Sequence, residues 1–379
     1  MARAFGVALA ATWTGCAVTK EPATECNVCK TAGAPLCKND LVDAGAAPTT
    51  DGGSSCLRTL SFYDGTTPLG EPSNGLSISV RWSPVDAYAL SGAEDMLRLL
   101  AWNAETDSLT KVAEFDHQQD RIFVGWLPDG QFAVAASLDV RLYAVGRTPP
   151  SITQVATYTG HKGSIYSVTI SPDGKYAFTT GDDGTARLLA VDGPSATLTL
   201  AAMFTAPKTR VYESAWSPDG KSVWLAAQDG AYLLAVDGAS TGSPSLREVT
   251  VVHRQSWVTA LEPAPTGTAV LEGTWLPCNA LELWNVANAV VEPREVLVLH
   301  SSGLKSITWR PDGASAFSAG HDDTVRFHHV GADRLDTLAT LGDYTAGVHS
   351  LSLSRDGRRL LVAASHRDRI TVTDVSGCQ

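Results

Sequence analysis

The 379-residue sequence predicts an all-β fold, a seven-bladed β-propeller of four-stranded antiparallel blades, on three observations. A turn-anchored pattern returns about every 45 residues. The segments between turns are short and rich in Val, Ala, Leu and Thr. Long amphipathic windows of helical period are scarce, and the chain holds only three Met. The pattern is plainest in "SVTISPDGKYAFTTGDDGTARLLAVD", Ser167 to Asp192. Its turn anchor, Pro172, has counterparts at Pro84, Pro128, Pro218, Pro265, Pro311 and Arg355, with successive spacings of 44, 44, 46, 47, 46 and 44 residues.

Each copy reads the same way. A first strand ends at Trp82, Trp126, Ile170, Trp216 or Trp309. A Pro-Asp-Gly turn follows, in which Pro presets φ and Gly allows the reversal. A second strand, an acidic turn and a third strand come next, and a fourth strand lies in the linker, as in "TLTLAAM" from Thr197 and "LREVTVV" from Leu246. Asp173 is therefore a turn residue repeated as Asp129, Asp219, Asp312 and Asp356, because a catalytic carboxylate would not be copied around the chain.

Composition narrows the function classes. Net charge is −11, from 40 acidic and 29 basic residues, with no basic cluster to track phosphates, so nucleic acid is not an expected partner. No apolar run reaches the length of a membrane-spanning helix. The start, "MARAFGVALAATWTGC", has a positive Arg3 and an apolar Ala4–Trp13 stretch, the pattern of an export signal. Residues 1–15 are read as that signal, 16–56 as a Cys-containing tether and 57–379 as the propeller. The tether "KNDLVDAGAAPTTDGGSS" has no periodicity. "TGC" resembles a bacterial lipobox, which implies acylation of Cys16, although Trp13 stands where such motifs carry Leu. The expected location is the bacterial cell envelope, with membrane attachment through the lipid anchor only; an ordinary cleaved signal is the alternative.

Six cysteines remain beyond Cys16: Cys26, Cys29, Cys37, Cys56, Cys278 and Cys378. An even number in an exported chain points to disulfides. Zinc is the competing reading of "CNVCKTAGAPLC" with Cys56, but intervals of two, seven and eighteen residues match no common module. No metal and no cofactor are expected.

From residue 57 onward the chain resembles the WD-repeat family. The resemblance rests on "GHKGSIYSVTISPDGKYAFTTGDDGTARLLAVD", with Gly160-His161 and Asp183-Gly184-Thr185, and on "LELWNV" with Trp284 and Asn285. It implies a buried His–Asp tetrad of which His161 and Asp183 are a remnant, since Leu189 stands where the family has Trp. It also implies ring closure by an N-terminal strand. The seventh copy ends after its third strand at "RITVTDVSGCQ", and "LRTLSFY", Leu57 to Tyr63, has no partner of its own. Antiparallel pairing of the two brings Cys56 beside Cys378, which predicts a disulfide locking the ring.

The turns between second and third strands share one face, which collects Asp95, Asp139, Asp182, Asp229, His321, Asp322 and His366, with Trp275 in the "TWLPC" insertion. The resemblance implies a non-catalytic protein-interaction platform, expected as a monomer with protein partners, and an acidic rim suits a basic or mixed partner surface. A permanent envelope assembly is a variant of that reading. The alternative from a different class is a hydrolase resembling propeller lactonases, with a metal at the channel mouth held by His321 and Asp322 or by Asp183 and His161. No catalytic residues are assigned, since no nucleophile elbow or His-Glu-x-x-His helix is present.

Overall fold

The computed structural model describes residues 56–63, 79–85, 87–93, 95–119, 121–206, 210–276, 278–287, 290–332, 334–342, 344, 347–364 and 370–378. Residues 1–55, with Cys16 and nearly all of the stretches that the sequence reading assigns to an export signal and a tether, lie outside the described residues, as does His366. Within them are 28 strands, β1 to β28 in chain order, and a single 3-10 turn at Ala239–Thr241.

The strands form seven four-stranded antiparallel sheets. Blade one is β2–β5 (79–116), blade two β6–β9 (123–158), blade three β10–β13 (165–205) and blade four β14–β17 (211–253). Blade five is β18–β21 (258–298), blade six β22–β25 (304–341) and blade seven β26–β28 (348–374) with β1 (58–63). The first strands of the blades, β2, β6, β10, β14, β18, β22 and β26, touch one another in an unbroken circle around the axis. Strand β1 is outermost in blade seven, its Arg58 opposite Asp374 and its Tyr63 opposite Ile370. Cys56 and Cys378 are joined by a disulfide across that seam.

Hydrophobic burial lies between blades. Leu225 and Tyr232 of blade four pack with Phe178 and Leu188 of blade three. Trp224 and Leu233, one residue along, pack with Leu261 and Val270 of blade five. A strand buried on both faces has no polar face to show, so second strands read as unbroken apolar runs such as "FAVAA" (β7) and "RLLVAA" (β27). Each of the seven seams has such a cluster among the described residues, the last closing blade seven on blade one.

The turns on one face behave as their sequence dictates. In blade three the Gly174 N–H donates to the Ser171 carbonyl at 2.8 Å, closing a turn with Pro172 and Asp173 at its centre. Gly174 has φ 73°, a conformation that glycine adopts without penalty. The Asp173 carboxylate accepts from the Lys175 N–H at 3.1 Å, and Asp129, Asp219, Asp312 and Asp356 accept from the N–H two residues on in the same way.

The first strand of a blade has one open edge, whose N–H groups need acceptors. Side chains of the preceding blade supply them: Ser79 accepts from Val124 N–H, Ser167 from Ser214, Ser306 from Leu351 and Ser350 from Val80, at 3.0–3.3 Å. Glu213 takes the serine's place between blades four and five, accepting from Leu261 N–H at 2.9 Å. Burial, with Glu262 nearby, pushes its carboxyl up to about 8, so it stays protonated at neutral pH.

Candidate functional site

Two blades carry a polar inlay between their second and third strands. In blade three, His161 Nδ1 lies 3.2 Å from both carboxylate oxygens of Asp183, and its Nε2 lies 2.9 Å from Thr179 Oγ1. Asp183 also accepts from the N–H groups of Lys162 and Thr185, and its pKa falls to about 2 despite burial. The series stops at Thr179 because Leu189 fills the next position.

Blade six completes the series. His300 Nδ1 is 2.9 Å from Asp322 Oδ1, and His300 Nε2 is 2.9 Å from Ser318 Oγ. Ser318 Oγ is 2.8 Å from His328 Nε2, and His328 Nδ1 is 3.1 Å from Thr337 Oγ1. Burial lowers the pKa of both histidines, that of His328 to about 3, so both are neutral. One proton arrangement then fills every bond. His300 Nδ1–H donates to Asp322, Ser318 O–H donates to His300, His328 Nε2–H donates to Ser318, and Thr337 O–H donates to His328. His328 thus fills the place where the resemblance expects Trp, while His329, its neighbour, is exposed.

Blades two and five substitute other chemistry at the same site. In blade two, His117 Nδ1 is 2.7 Å from the Tyr143 hydroxyl, and Arg141 binds Asp139 at 2.9 Å and the His117 carbonyl at 2.9 Å. In blade five, Arg254 Nε donates to Glu272 at 3.1 Å, a second guanidinium nitrogen donates to Glu282, and the Trp284 ring lies 4.5 Å beneath. Burial raises the pKa of both glutamates, that of Glu282 to about 7. With one guanidinium between two buried carboxyls, one carboxyl keeps its proton.

These inlays absorb part of the rim that the sequence assigns to an interaction face. Asp322 is buried, with 2% of its side chain exposed, and belongs to the His300 series. Asp139 is held by Arg141 and by Gln119 at 3.0 Å. Asp182 pairs with Arg210 at 2.6 Å, and Asp229 accepts from the Tyr232 hydroxyl at 2.9 Å. Asp95 is exposed. Among the described residues of this face, Asp139, Asp182, Asp229 and Asp322 are therefore engaged within the fold.

What it presents is an aromatic arc around the channel mouth. In five blades the first strand has a register break near its start, flanking Tyr166, Tyr212, Thr259, Lys305 and His349. A bulge re-aims the residue at the break; the Thr259 hydroxyl, for one, donates to the Leu304 carbonyl of the next blade at 2.7 Å. The Tyr166 and Tyr212 rings are 5.8 Å apart, and Tyr212 stacks on Trp257 at 6.0 Å. Farther round, Trp275 meets His321 edge-on at 4.8 Å, and His321 meets His349 at 4.9 Å. Trp275 is half-buried on Gly303, where a Cβ would meet the indole at 2.4 Å, while Trp257 is 41% exposed. Lys305 Nζ lies over the Trp275 ring at 4.4 Å.

His321 faces aromatic rings, and Asp322 beside it turns into the blade, so the pair does not converge on a cation. Among the described residues no group of three or more His, Cys, Asp or Glu is placed to hold a metal ion. Cys278, in the blade-five turn that carries Trp275, is disulfide-bonded, and its partner lies outside the described residues.

Sequence reasoning passed over His300, Ser318 and the structural part of His328. The signal was present: His300 precedes Ser318 by 18 residues and Asp322 by 22, the same offsets that separate His161 from Thr179 and Asp183. The family model of the WD domain, G-beta repeat, matches residues 152–188 and 292–329. Those two stretches contain His161, Thr179 and Asp183 in the one and His300, Ser318, Asp322 and His328 in the other. No curated protein matches the chain.

Proposed function

From a seven-bladed β-propeller that carries WD repeats in blades three and six, we propose a non-catalytic protein-docking platform whose binding face is the aromatic channel mouth. The observation that carries this reading is the arc of Tyr166, Tyr212, Trp257, Trp275, His321 and His349. Aromatic side chains with partial exposure give large contact area for little entropy and dominate the centres of protein interfaces. Trp257 lies open on one side, and Leu276 next to Trp275 is 64% exposed. His161, His300 and His328 serve internal hydrogen bonds, each with its ring nitrogens engaged by side chains of its own blade.

The same reading places the disc outside the cytoplasm, held at a bacterial envelope through an acylated Cys16. Its support is the export-like start of the sequence, the Cys56–Cys378 disulfide and the disulfide-bonded state of Cys278, because such bonds persist in oxidising compartments. If about 40 residues separate the anchor from the disc, a flexible chain gives a reach on the order of 35 Å. Radiolabelled palmitate incorporation that survives in a Cys16→Ser variant would remove the anchor from this reading.

The docking face is tested by affinity capture from envelope extracts without reductant, using a C-terminal tag on wild type and on a Tyr212→Ala, Trp257→Ala variant. A stoichiometric partner retained by wild type and lost by the variant is the expected result. Equal retention by both would move the interface to another face.

A further inference from the structure

The charges around the mouth narrow the chemistry of the partner, an inference that rests on the docking reading above. An acidic rim would call for a basic partner, but among the described residues four carboxylates of this face are engaged. Asp182 is bound to Arg210, Asp229 to Tyr232 and Asp322 to His300, and Asp323 accepts from the Gly347 N–H. Two cations are in the opposite state. Lys305 has its ring contact with Trp275 but no hydrogen bond or ion pair among the described residues, although it is half-buried at the bore. Arg121, exposed at the entry to blade two, likewise has neither. The charge of Arg121 acts on Lys305, and both cations act on His349. His321 adds a buried Nε2 with no hydrogen-bond partner.

A partly desolvated ammonium without a counter-charge is costly, and a carboxylate brought to it recovers that cost through a charge-assisted hydrogen bond. Glu213, the carboxyl that acts electrostatically on Lys305, does not pair with it: its own hydrogen bond comes from the Leu261 N–H. We propose that the mouth takes an acidic peptide segment of a partner protein, a carboxylate seated between Lys305 and Arg121 and flanking apolar or aromatic residues laid on Tyr212, Trp257 and Trp275. The chain as a whole carries −11 and repels anionic surfaces, so this local positive point selects the bound segment rather than steering it from afar.

The probe is a phage-displayed library of random dodecapeptides, panned against the oxidised full-length protein. Selected sequences are then synthesised with a fluorophore and titrated by anisotropy. Enriched peptides should be rich in Asp and Glu with interspersed aromatic residues. Their affinity should fall at least about tenfold in Lys305→Gln and in Arg121→Gln, the loss typical of one charge-assisted contact. Lys305→Arg should restore most of it, which keeps the test informative if Lys305→Gln folds poorly. Basic or neutral peptides that bind through Trp257 and ignore both cation variants would overturn the acidic-segment proposal and leave the docking face standing. A library in which no peptide is enriched over the Tyr212→Ala, Trp257→Ala protein would overturn both.

Discussion

The ring seam offers the most direct test of the stability reasoning. The Cys56–Cys378 bond closes a loop of 322 residues. Chain-entropy arithmetic for that length gives about 5.8 kcal/mol of destabilised unfolded state. With Cys56 and Cys378 joined to each other, the cysteines left to pair with Cys278 are Cys16, Cys26, Cys29 and Cys37, all near the N-terminus. That second cross-link shortens the free path through the unfolded chain and brings the figure toward about 5 kcal/mol. At about 2.1 cal/mol/K of unfolding entropy per residue over some 320 propeller residues, 5 to 6 kcal/mol corresponds to a fall in Tm of about 7–9 °C. The perturbation is a Cys56→Ala, Cys378→Ala double variant, since reductant would also open the Cys278 bond. Differential scanning calorimetry at equal protein concentration reads the shift. A double variant melting within about 2 °C of the oxidised parent would refute the loop-closure account of the seam.

Three further outcomes follow from the buried polar groups. Arg254→Met strands Glu272 and Glu282 in the blade-five interior, so a loss of about 3–5 kcal/mol is expected at pH 7, with a smaller loss at pH 5 because protonation removes stranded charge; urea melts at the two pH values would show it. His328→Leu leaves the Ser318 and Thr337 hydroxyls without their ring partner and is expected to cost about 1–3 kcal/mol by the same assay, whereas His329→Leu, on the exposed side of the strand, should cost little. The buried titratable groups give stability two opposed pH dependences. Burial lowers the pKa of His117, His328 and His349 to about 4, 3 and 3, so the unfolded chain binds more protons below about pH 6.5 and their contribution drops as pH falls. Glu213, Glu262 and Glu282 are raised to about 8, 7 and 7, so the folded chain holds more protons above about pH 4.5 and their contribution drops as pH rises toward 8. Above about pH 6.5 the histidine contribution is complete, so stability should fall from there toward pH 8, and urea melts showing a steady rise over that range would contradict this reading.

The blade count was legible because turn chemistry repeats in the chain itself. Pro172, Asp173 and Gly174 announce a reversal that only a few residue types satisfy, and Gly174 does adopt the left-handed backbone. Closure was legible by subtraction, since blade seven lacked a strand and Leu57–Tyr63 lacked a partner. The site was less legible for two physical reasons. A carboxylate shows its charge in a sequence but not its partner: Asp322 reads as rim until His300, 22 residues earlier, folds back onto it. The Leu299-His300 dipeptide hid that histidine, because the resemblance looks for Gly before His. Register breaks at Tyr166, Tyr212, Lys305 and His349 arise where an inner strand bends around the bore, and no residue type marks them in advance.

The shared sheet at the seam has a consequence for the order of events in folding. Residues 58–63 are made before every other strand of the propeller, but their partner, Ile370–Asp374, is made only after blades one to six. Blades one to six have all four of their strands before the ring has a way to close. Until β1 docks, the outer edge of β28 is an unpaired strand edge, the kind of template that recruits other chains. Closure of the ring is therefore a late event joining the first and last strands of the propeller, and the oxidation of Cys56 with Cys378 records that it has happened.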